Sequence, residues 1–423
     1  MFPFSSCISI LTQRYVVAYK SGMDNIVELS PKARIVQSAD TWIEGEAVRQ
    51  LEATATFPGM KLCVAMPDVH PAKGSPNGAA FLADRLYPSL VGNDDGCGVS
   101  LSVTTLLARK AKLDRIIDRV NGLDEPWDGD TAKWLVDREV APTDYDGSLG
   151  TPGFGNHFIE IQSVSNIFDQ TLFDSVGMSE DHLHVVVHSG SRGFGESIMD
   201  AYAAKHGANG VMADSDEGQA YLKQNDHAIR WAVANRQLCA HRVLEAIGTD
   251  GTQLIDICHN SVTEAMADGC TCWLHRKGAA PADKGPVIIP GSRNAMSYVV
   301  QPVEGKEEAL RSLAHGAGRK IARGDAFSKL SGLYRGKDIK KNDAGGRVVC
   351  GNDHLLWEEA PECYKPINVV ITDLWNAGLI QLIATLRPLV TFKTSEGVEE
   401  QMRKDRKKWQ QERSKAREAK GRR

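Results

Sequence analysis

The loop Val91-Gly92-Asn93-Asp94-Asp95-Gly96-Cys97-Gly98 gathers the residue types best suited to chemistry. Asp94 and Cys97 stand three apart in a turn, where a carboxylate and a thiol can point the same way. Glycine on both sides of Cys97 lets the backbone bend sharply and leaves room for an approach to the sulfur. A thiolate beside a carboxylate is half of a mixed metal site, which histidines from elsewhere can complete. Taken alone, the loop is equally an acidic turn beside a structural cysteine. Three histidines shift that balance. His157, His188 and His259 each stand at the border of an apolar stretch, and each adjoins glycine, serine or asparagine. With Asp94 and Cys97 they make an O/S/N donor set that suits a borderline divalent ion such as Mn, Zn, Fe or Co. The separations are long, so the signal is joint and no zinc-finger spacing applies.

A second chemistry is hinted at by glycine-rich loops around Gly291, Gly316 and Gly318. Such loops can bring backbone N–H groups up to phosphates, with Arg192, Arg293 or Lys365 supplying charge. None of them matches a P-loop or a dinucleotide-binding fingerprint.

Positioning these groups is the work of short strands. Apolar runs and alternation predict strands over residues 61–66, 78–82, 99–103, 158–161, 184–188, 254–258 and 287–289. The first runs into Pro67-Asp68-Val69-His70, a second place where a carboxylate and a histidine leave a strand end. Helical spacing covers residues 41–51, 113–120, 219–246 and 307–314. In the third of these helices Tyr221, Ile229, Ala232, Val233 and Leu238 are the expected buried face. Residues 125–147 are polar and carry no clear period. Strands and helices mix without a regular βαβ alternation, which predicts an α+β, or mixed α/β, fold rather than a doubly wound sheet.

The bulk numbers fit an intracellular globular chain. Its 423 residues suit one large domain or two, and 42% hydrophobic content supports a sizeable core. The net charge of -4 gives no global sign of a polyanion partner. Nine cysteines, an odd number, do not make a disulfide framework, so a reducing cytoplasm is expected. No apolar run is long enough to span a bilayer. Met23 comes just before the first folded pattern, so residues 1–22 read as an N-terminal extension and 23–392 as the folded domain. Residues 393–423 form a strongly basic tail, helical or disordered, which reads either as a solvated face or as an arm that attracts RNA phosphates.

The ordered motifs resemble the RtcB family of GTP- and Mn(II)-dependent RNA ligases over roughly residues 35–392. The resemblance rests on Met66-Pro67-Asp68-Val69-His70, Asp94-Asp95-Gly96-Cys97-Gly98 and Gly155-Asn156-His157-Phe158-Ile159-Glu160. It continues through His188-Ser189-Gly190-Ser191-Arg192-Gly193, His259-Asn260, His275-Arg276-Lys277-Gly278-Ala279, Pro290-Gly291-Ser292 and His315-Gly316-Ala317-Gly318-Arg319. The loops Asp68-Val69-His70-Pro71-Ala72-Lys73-Gly74 and Val91-Gly92-Asn93-Asp94 look closest to the subgroup coupled to release factor H. The resemblance implies a single large domain of central β-sheets flanked by helices.

It also implies roles. Asp94, Cys97 and His157 would hold one Mn2+, and Cys97, His188 and His259 a second, with the thiolate bridging. His315 would take GMP from GTP. Asn156, His157, Glu160, Asn260, Pro290, Gly291, Ser292, Arg293, Ser297, Gly316, Ala317, Gly318 and Lys365 would line the guanylate pocket, with Glu160 reading the guanine edge. Arg192 would meet phosphate or RNA. The implied reaction joins RNA ends bearing a 2′,3′-cyclic phosphate or 3′-phosphate to 5′-hydroxyl ends, in repair of tRNA or rRNA. The alternative is a metal-dependent end-processing phosphohydrolase that does not ligate. Residues 151–154 enlarge the approach to Asn156, and Pro71, Lys73, Arg293 and Pro366 depart from the family's usual residues. These departures touch the RNA substrate rather than the metal and nucleophile positions.

Overall fold

The runs read as strands assemble into two large sheets in the computed structural model, which describes residues 25–38, 41–334, 338–341 and 345–394. The larger sheet has the spatial order Val287–Ile289, Ser297–Pro302, Ile380–Thr394, Phe158–Ile167, His182–Ser189, Gly98–Leu107, Gly251–Cys258, with Arg347–Cys350 added in parallel to Ile380–Thr394. The second sheet runs Ile26–Ser30, Ala33–Val36, Met60–His70, Asn77–Ala83, Cys270–Lys277, Asn260–Ala267. Apart from Arg347–Cys350 on Ile380–Thr394 and Ala33–Val36 on Met60–His70, the pairings among these strands are antiparallel. The mixed α/β fold expected from the sequence is therefore what forms, with sheets and flanking helices.

Register explains why distant residues meet. Val99 lies opposite His188, Gly98 opposite Cys258, and Phe158 opposite His188. In antiparallel pairs the start of one strand lies beside the end of its neighbour. Cys97 and His157 precede their strands, whereas His188 is the last residue but one of its strand and His259 directly follows its own, so all four reach one end of the larger sheet. The apolar faces behind them bury Val99, Leu101, Val186, Ile255 and Ile257 in the main core. Asn260 begins the next strand, so the chain crosses from one sheet to the other at the site itself.

The long helix Asp216–Ile247 seals this end of the sheet. Ser215 Oγ accepts the Gly218 N–H at 3.0 Å to start it, and Gly248, at φ 71°, stops it. It lies so close to the opening loop that a Cβ on Gly96 would fall 2.7 Å from Ile229 Cα. Tyr221, Ala232 and Leu238 are buried as expected, but Ile229 and Val233 are only half-buried. Their face is shared with buried Asn225, Asn235 and Arg236, which periodicity of apolar residues cannot reveal.

One helix is replaced. Residues 307–314 form a single 3-10 turn, Glu307–Ala309, followed by the strand Ser312–Ala314. Leu310 and Arg311 adopt φ of 51° and 46°, which a right-handed helix cannot contain. Pairing of Ser312–Ala314 with Ala279–Pro281 overrides the local spacing. The helix expected over 41–51 runs Gly45–Ala55. The unassigned stretch 125–147 contains the short helix Thr131–Val136. The strand Ile380–Thr394 continues past residue 392, where the basic tail was placed to begin. The extension 1–22 and the tail beyond Thr394 lie outside the described residues. Among the described residues no helix is long and apolar enough to cross a membrane.

Candidate active site

At the common strand end, the donor atoms converge. Cys97 Sγ lies 3.3 Å from His157 Nε2 and 3.3 Å from His188 Nε2. His188 Nε2 lies 3.3 Å from His259 Nε2, and His157 Nε2 lies 3.0 Å from Asp94 Oδ2. Cys97, His157, His188 and His259 are all buried. All five expected ligands thus form one chain of contacts, and Cys97, His157 and His188 hold their donor atoms within 4.8 Å of one another. Converging lone pairs and a thiol in a buried site are what a cation satisfies. Burial, then the neighbouring imidazoles, holds His188 and His259 well below the ordinary histidine value, so both rings are neutral donors. Burial and the adjacent Asp94 carboxylate push the Cys97 thiol well up, so a bound cation is what would keep it a thiolate. The residues present therefore fit a divalent metal.

Asp94 owes its place to a tight crossing. A Cβ on Gly190 would strike its carboxylate at 2.3 Å, so only glycine lets the two loops touch. The backbone N–H of Arg192 donates to Asp94 Oδ1 at 2.5 Å. Burial pushes this carboxyl up, but the contact with His157 and the Arg192 N–H and charge outweigh it and hold it below the usual range. Arg192 itself has φ 55°, a conformation that costs a non-glycine residue about 1–3 kcal/mol and is tolerated where surroundings dictate it. Its guanidinium donates to Thr151 Oγ1 at 2.5 Å and to Ser148.

His315 sits on the other side of the cluster. Its ring centroid is 4.8 Å from that of His259. Asp68 Oδ2 lies 2.7 Å from His315 Nδ1 and accepts the His315 backbone N–H at 3.1 Å. A carboxylate at Nδ1 favours the proton there and leaves the Nε2 lone pair for chemistry. A Cβ on Gly318 would land 2.0 Å from the Asp68 carbonyl oxygen, so the loop after His315 packs directly on the strand carrying Asp68.

These groups open into one cleft of about 2280 Å³. It is lined by Asp94, Cys97, Asn156, His157, Glu160, His188, Arg192, His259, Asn260, Pro290, Gly291, Ser292, Arg293, His315, Gly316, Ala317 and Gly318. Ser297 and Lys365, expected to line it, are placed behind its wall. Ser297 Oγ accepts from Gln162 Nε2 at 3.0 Å, and Gln162 also donates to Glu160 at 2.6 Å. Lys365 Nζ donates to the carbonyls of Pro67 and Val69, each at 2.8 Å, on either side of Asp68. Asn260 Nδ2 donates to the Asp94 carbonyl at 3.0 Å and so braces the loop that carries Asp94 and Cys97 as well. Arg293 donates to Leu356 O at 3.1 Å.

Sequence reasoning missed a charged hub. Glu359 meets Arg319 at 3.0 Å and Lys393 at 3.4 Å, and accepts from Tyr364. Lys393 also donates to the carbonyls of Gly155 and His157, at 3.1 and 3.2 Å. The hub lines the same cleft. The alternation Val390-Thr391-Phe392-Lys393-Thr394, which continues a strand into the stretch assigned to the tail, was the available signal.

The family described as "tRNA-splicing ligase RtcB" matches residues 50–123 and 130–394. The chain belongs to the RtcB family. Its similarity to RNA-splicing ligase RtcB2 of Escherichia coli is 42% identity over 370 residues, 87% of this chain and 97% of that protein. The tRNA-splicing ligase RtcB of Archaeoglobus fulgidus is 31% identical, covering 82% of this chain and 91% of its own. The RNA-splicing ligase RtcB of Mycobacterium tuberculosis is 31% identical, covering 80% and 99%. The RtcB match includes every expected metal ligand, His315 and Lys393.

Proposed function

We propose that this RtcB-family chain is an RNA ligase that uses GTP and two Mn2+ to join a 2′,3′-cyclic phosphate or 3′-phosphate end to a 5′-hydroxyl end. The observation that carries this reading is the placement of His315 between Asp68 and the Cys/His cluster in one cleft. When bound, the metal ions would neutralise phosphate charge and polarise phosphoryl oxygens. Asp94, Cys97 and His157 would hold one ion; Cys97, His188 and His259 the other.

The chain's own groups do the rest. Asp68 holds the His315 ring with Nε2 toward the nucleotide. That nitrogen attacks the α-phosphorus of GTP, the bond to pyrophosphate breaks, and GMP is left on His315. Water opens the cyclic phosphate to a 3′-phosphate. An oxygen of that phosphate attacks the GMP phosphorus and releases His315. The RNA 5′-hydroxyl then gives its proton to solvent, its oxygen attacks the phosphorus of the activated 3′-phosphate, and the P–O bond to GMP breaks, releasing GMP. Glu160 faces the cleft as an acceptor for the N–H edge of guanine, and Arg192 steadies RNA phosphate.

Incubation with Mn(II) and GTP labelled at the α-phosphate tests this. Label should remain on the wild-type chain after denaturation and be lost in His315→Ala. A wild type that never takes label would support metal-dependent phosphate hydrolysis instead. The same reading places the chain in a reducing cytoplasm, in repair of tRNA or rRNA linked to release factor H. Free cysteines at all eight described positions support the compartment. The basic run beyond Thr394 is read as an arm for RNA phosphates, so truncation after about residue 397 should reduce the salt slope of RNA binding.

A further inference from the structure

Arg236 lies in the middle of the long helix Asp216–Ile247 and is fully buried, yet no step of the reaction uses it. Its Nη1 donates to the carbonyl of Gly96 at 2.7 Å and to that of Ser189 at 2.9 Å. Its Nε donates to Asp256 at 3.1 Å, and its Nη2 to Asp256 at 2.5 Å and to Cys258 Sγ at 3.3 Å. Gly96 immediately precedes Cys97, Ser189 immediately follows His188, and Cys258 immediately precedes His259. One planar guanidinium therefore grips the chain next to three ligands that come from three separate strands.

The other ligands are held differently. His157 is fixed through its carbonyl by Lys393, and Asp94 by the Arg192 N–H and, through its carbonyl, by Asn260. The division is by set: Arg236 touches the neighbours of Cys97, His188 and His259 and makes no contact to His157 or Asp94, and the two sets meet at Cys97, whose N–H donates to the Asp94 carbonyl at 3.0 Å.

We propose that Arg236 is a positioning residue that sets the Cys97–His188–His259 metal site as a unit, whereas the Asp94–Cys97–His157 site depends on it through Cys97 alone. The proposal rests on the two-ion reading above. Lysine at this position keeps the charge but cannot reach the two carbonyls and Asp256 together, because an ammonium is a point donor rather than a fork.

The test titrates the metal-free full-length chain with Co(II) and follows the thiolate-to-cobalt absorption and the number of equivalents bound. Wild type should take two equivalents. Arg236→Lys should weaken one equivalent about 10- to 100-fold, as outer-shell partners of metal ligands do, and the other, which shares only Cys97 with it, distinctly less. Arg276→Lys is the matched control, a buried arginine that donates to Ser312 and the Arg311 carbonyl, and it should leave both equivalents unchanged. If Arg236→Lys does not fold, the double variant Arg236→Met/Asp256→Leu removes both charges of the pair and should show the same selective loss. Wild-type affinity for both ions in either Arg236 variant overturns the proposal, as does equal weakening of both ions there or an equal loss in Arg276→Lys. A wild type that binds one ion overturns the two-ion reading. In that case Arg236 still stands or falls by whether its substitution weakens that ion.

Discussion

Asp68 Oδ2 reaches both nitrogens that define His315, the ring Nδ1 at 2.7 Å and the backbone N–H at 3.1 Å. Asp68 is fully buried, and its carboxylate holds the His315 backbone by a hydrogen bond while lying against the ring nitrogen. Asp68→Asn keeps the shape but presents an amide that can donate to Nδ1, which moves the ring proton to Nε2 and blocks its lone pair. Covalent labelling by GTP should slow by about 10²- to 10⁴-fold, with GTP affinity within a few-fold of wild type. Rapid-quench labelling separates the two effects. Wild-type labelling in Asp68→Asn would show that Asp68 does not set the tautomer.

Cys97 is the shared neighbour of two imidazoles, at 3.3 Å from His157 and from His188. Cys97→Ala removes the only sulfur in the cluster and leaves three buried imidazoles facing one another. Metal analysis of the purified variant should show loss of both ions, with labelling and sealing both abolished. Retained sealing would rule out a bridging thiolate. Retention of a single ion at full occupancy would confine the thiolate to one site.

Asp94, Cys97, His157, His188 and His259 were legible as candidate ligands because each stands at a strand border that a short apolar run marks, and because Asp, Cys and His are uncommon together there. Their convergence was not, since it depends on register: Val99 opposite His188 and Gly98 opposite Cys258 are facts of pairing, not of spacing. Arg236 and Asn235 escaped because polar residues inside a helix read as its solvent side, whereas here they face loops that must be held. Residues 307–314 were misread as a helix because their apolar spacing fits one, while the break comes from Leu310 and Arg311, residue types that do not advertise positive φ. Lys365 was placed in the pocket by resemblance. Its ammonium instead lies on the strand behind it.

Glu160 supplies a pH dependence. Burial pushes its carboxyl up to about 7, against hydrogen bonds from Thr391 and Gln162 and the charge of Lys393. As pH falls through 7 the carboxylate takes a proton and ceases to be a full acceptor for guanine N–H groups. Affinity for guanosine should therefore be flat above about pH 8 and fall, toward tenfold per unit, below pH 7. Guanosine is the right probe because nucleotide phosphates titrate in the same window. Glu160→Gln should bind weakly and flatly across pH 6–8. A flat wild-type profile would remove Glu160 from guanine recognition.

Lys365 donates to the carbonyls that bracket Asp68, Pro67 and Val69, each at 2.8 Å. Burial lowers its ammonium to about 8, with the nearby Asp68 charge opposing that fall. Its effect on chemistry should thus pass through the strand to Asp68 and on to His315. Lys365→Met leaves two carbonyls without their donor and lets Asp68 drift, and a shift of about 1 Å in a reacting group costs about 10²-fold. The expected outcome is slower labelling by that order with GTP affinity little changed. Thermal melting of the metal-free variant checks that the strand survives. If GTP affinity falls while the labelling rate of bound GTP holds, the ammonium reaches the nucleotide after all, and the cleft wall must open to admit it.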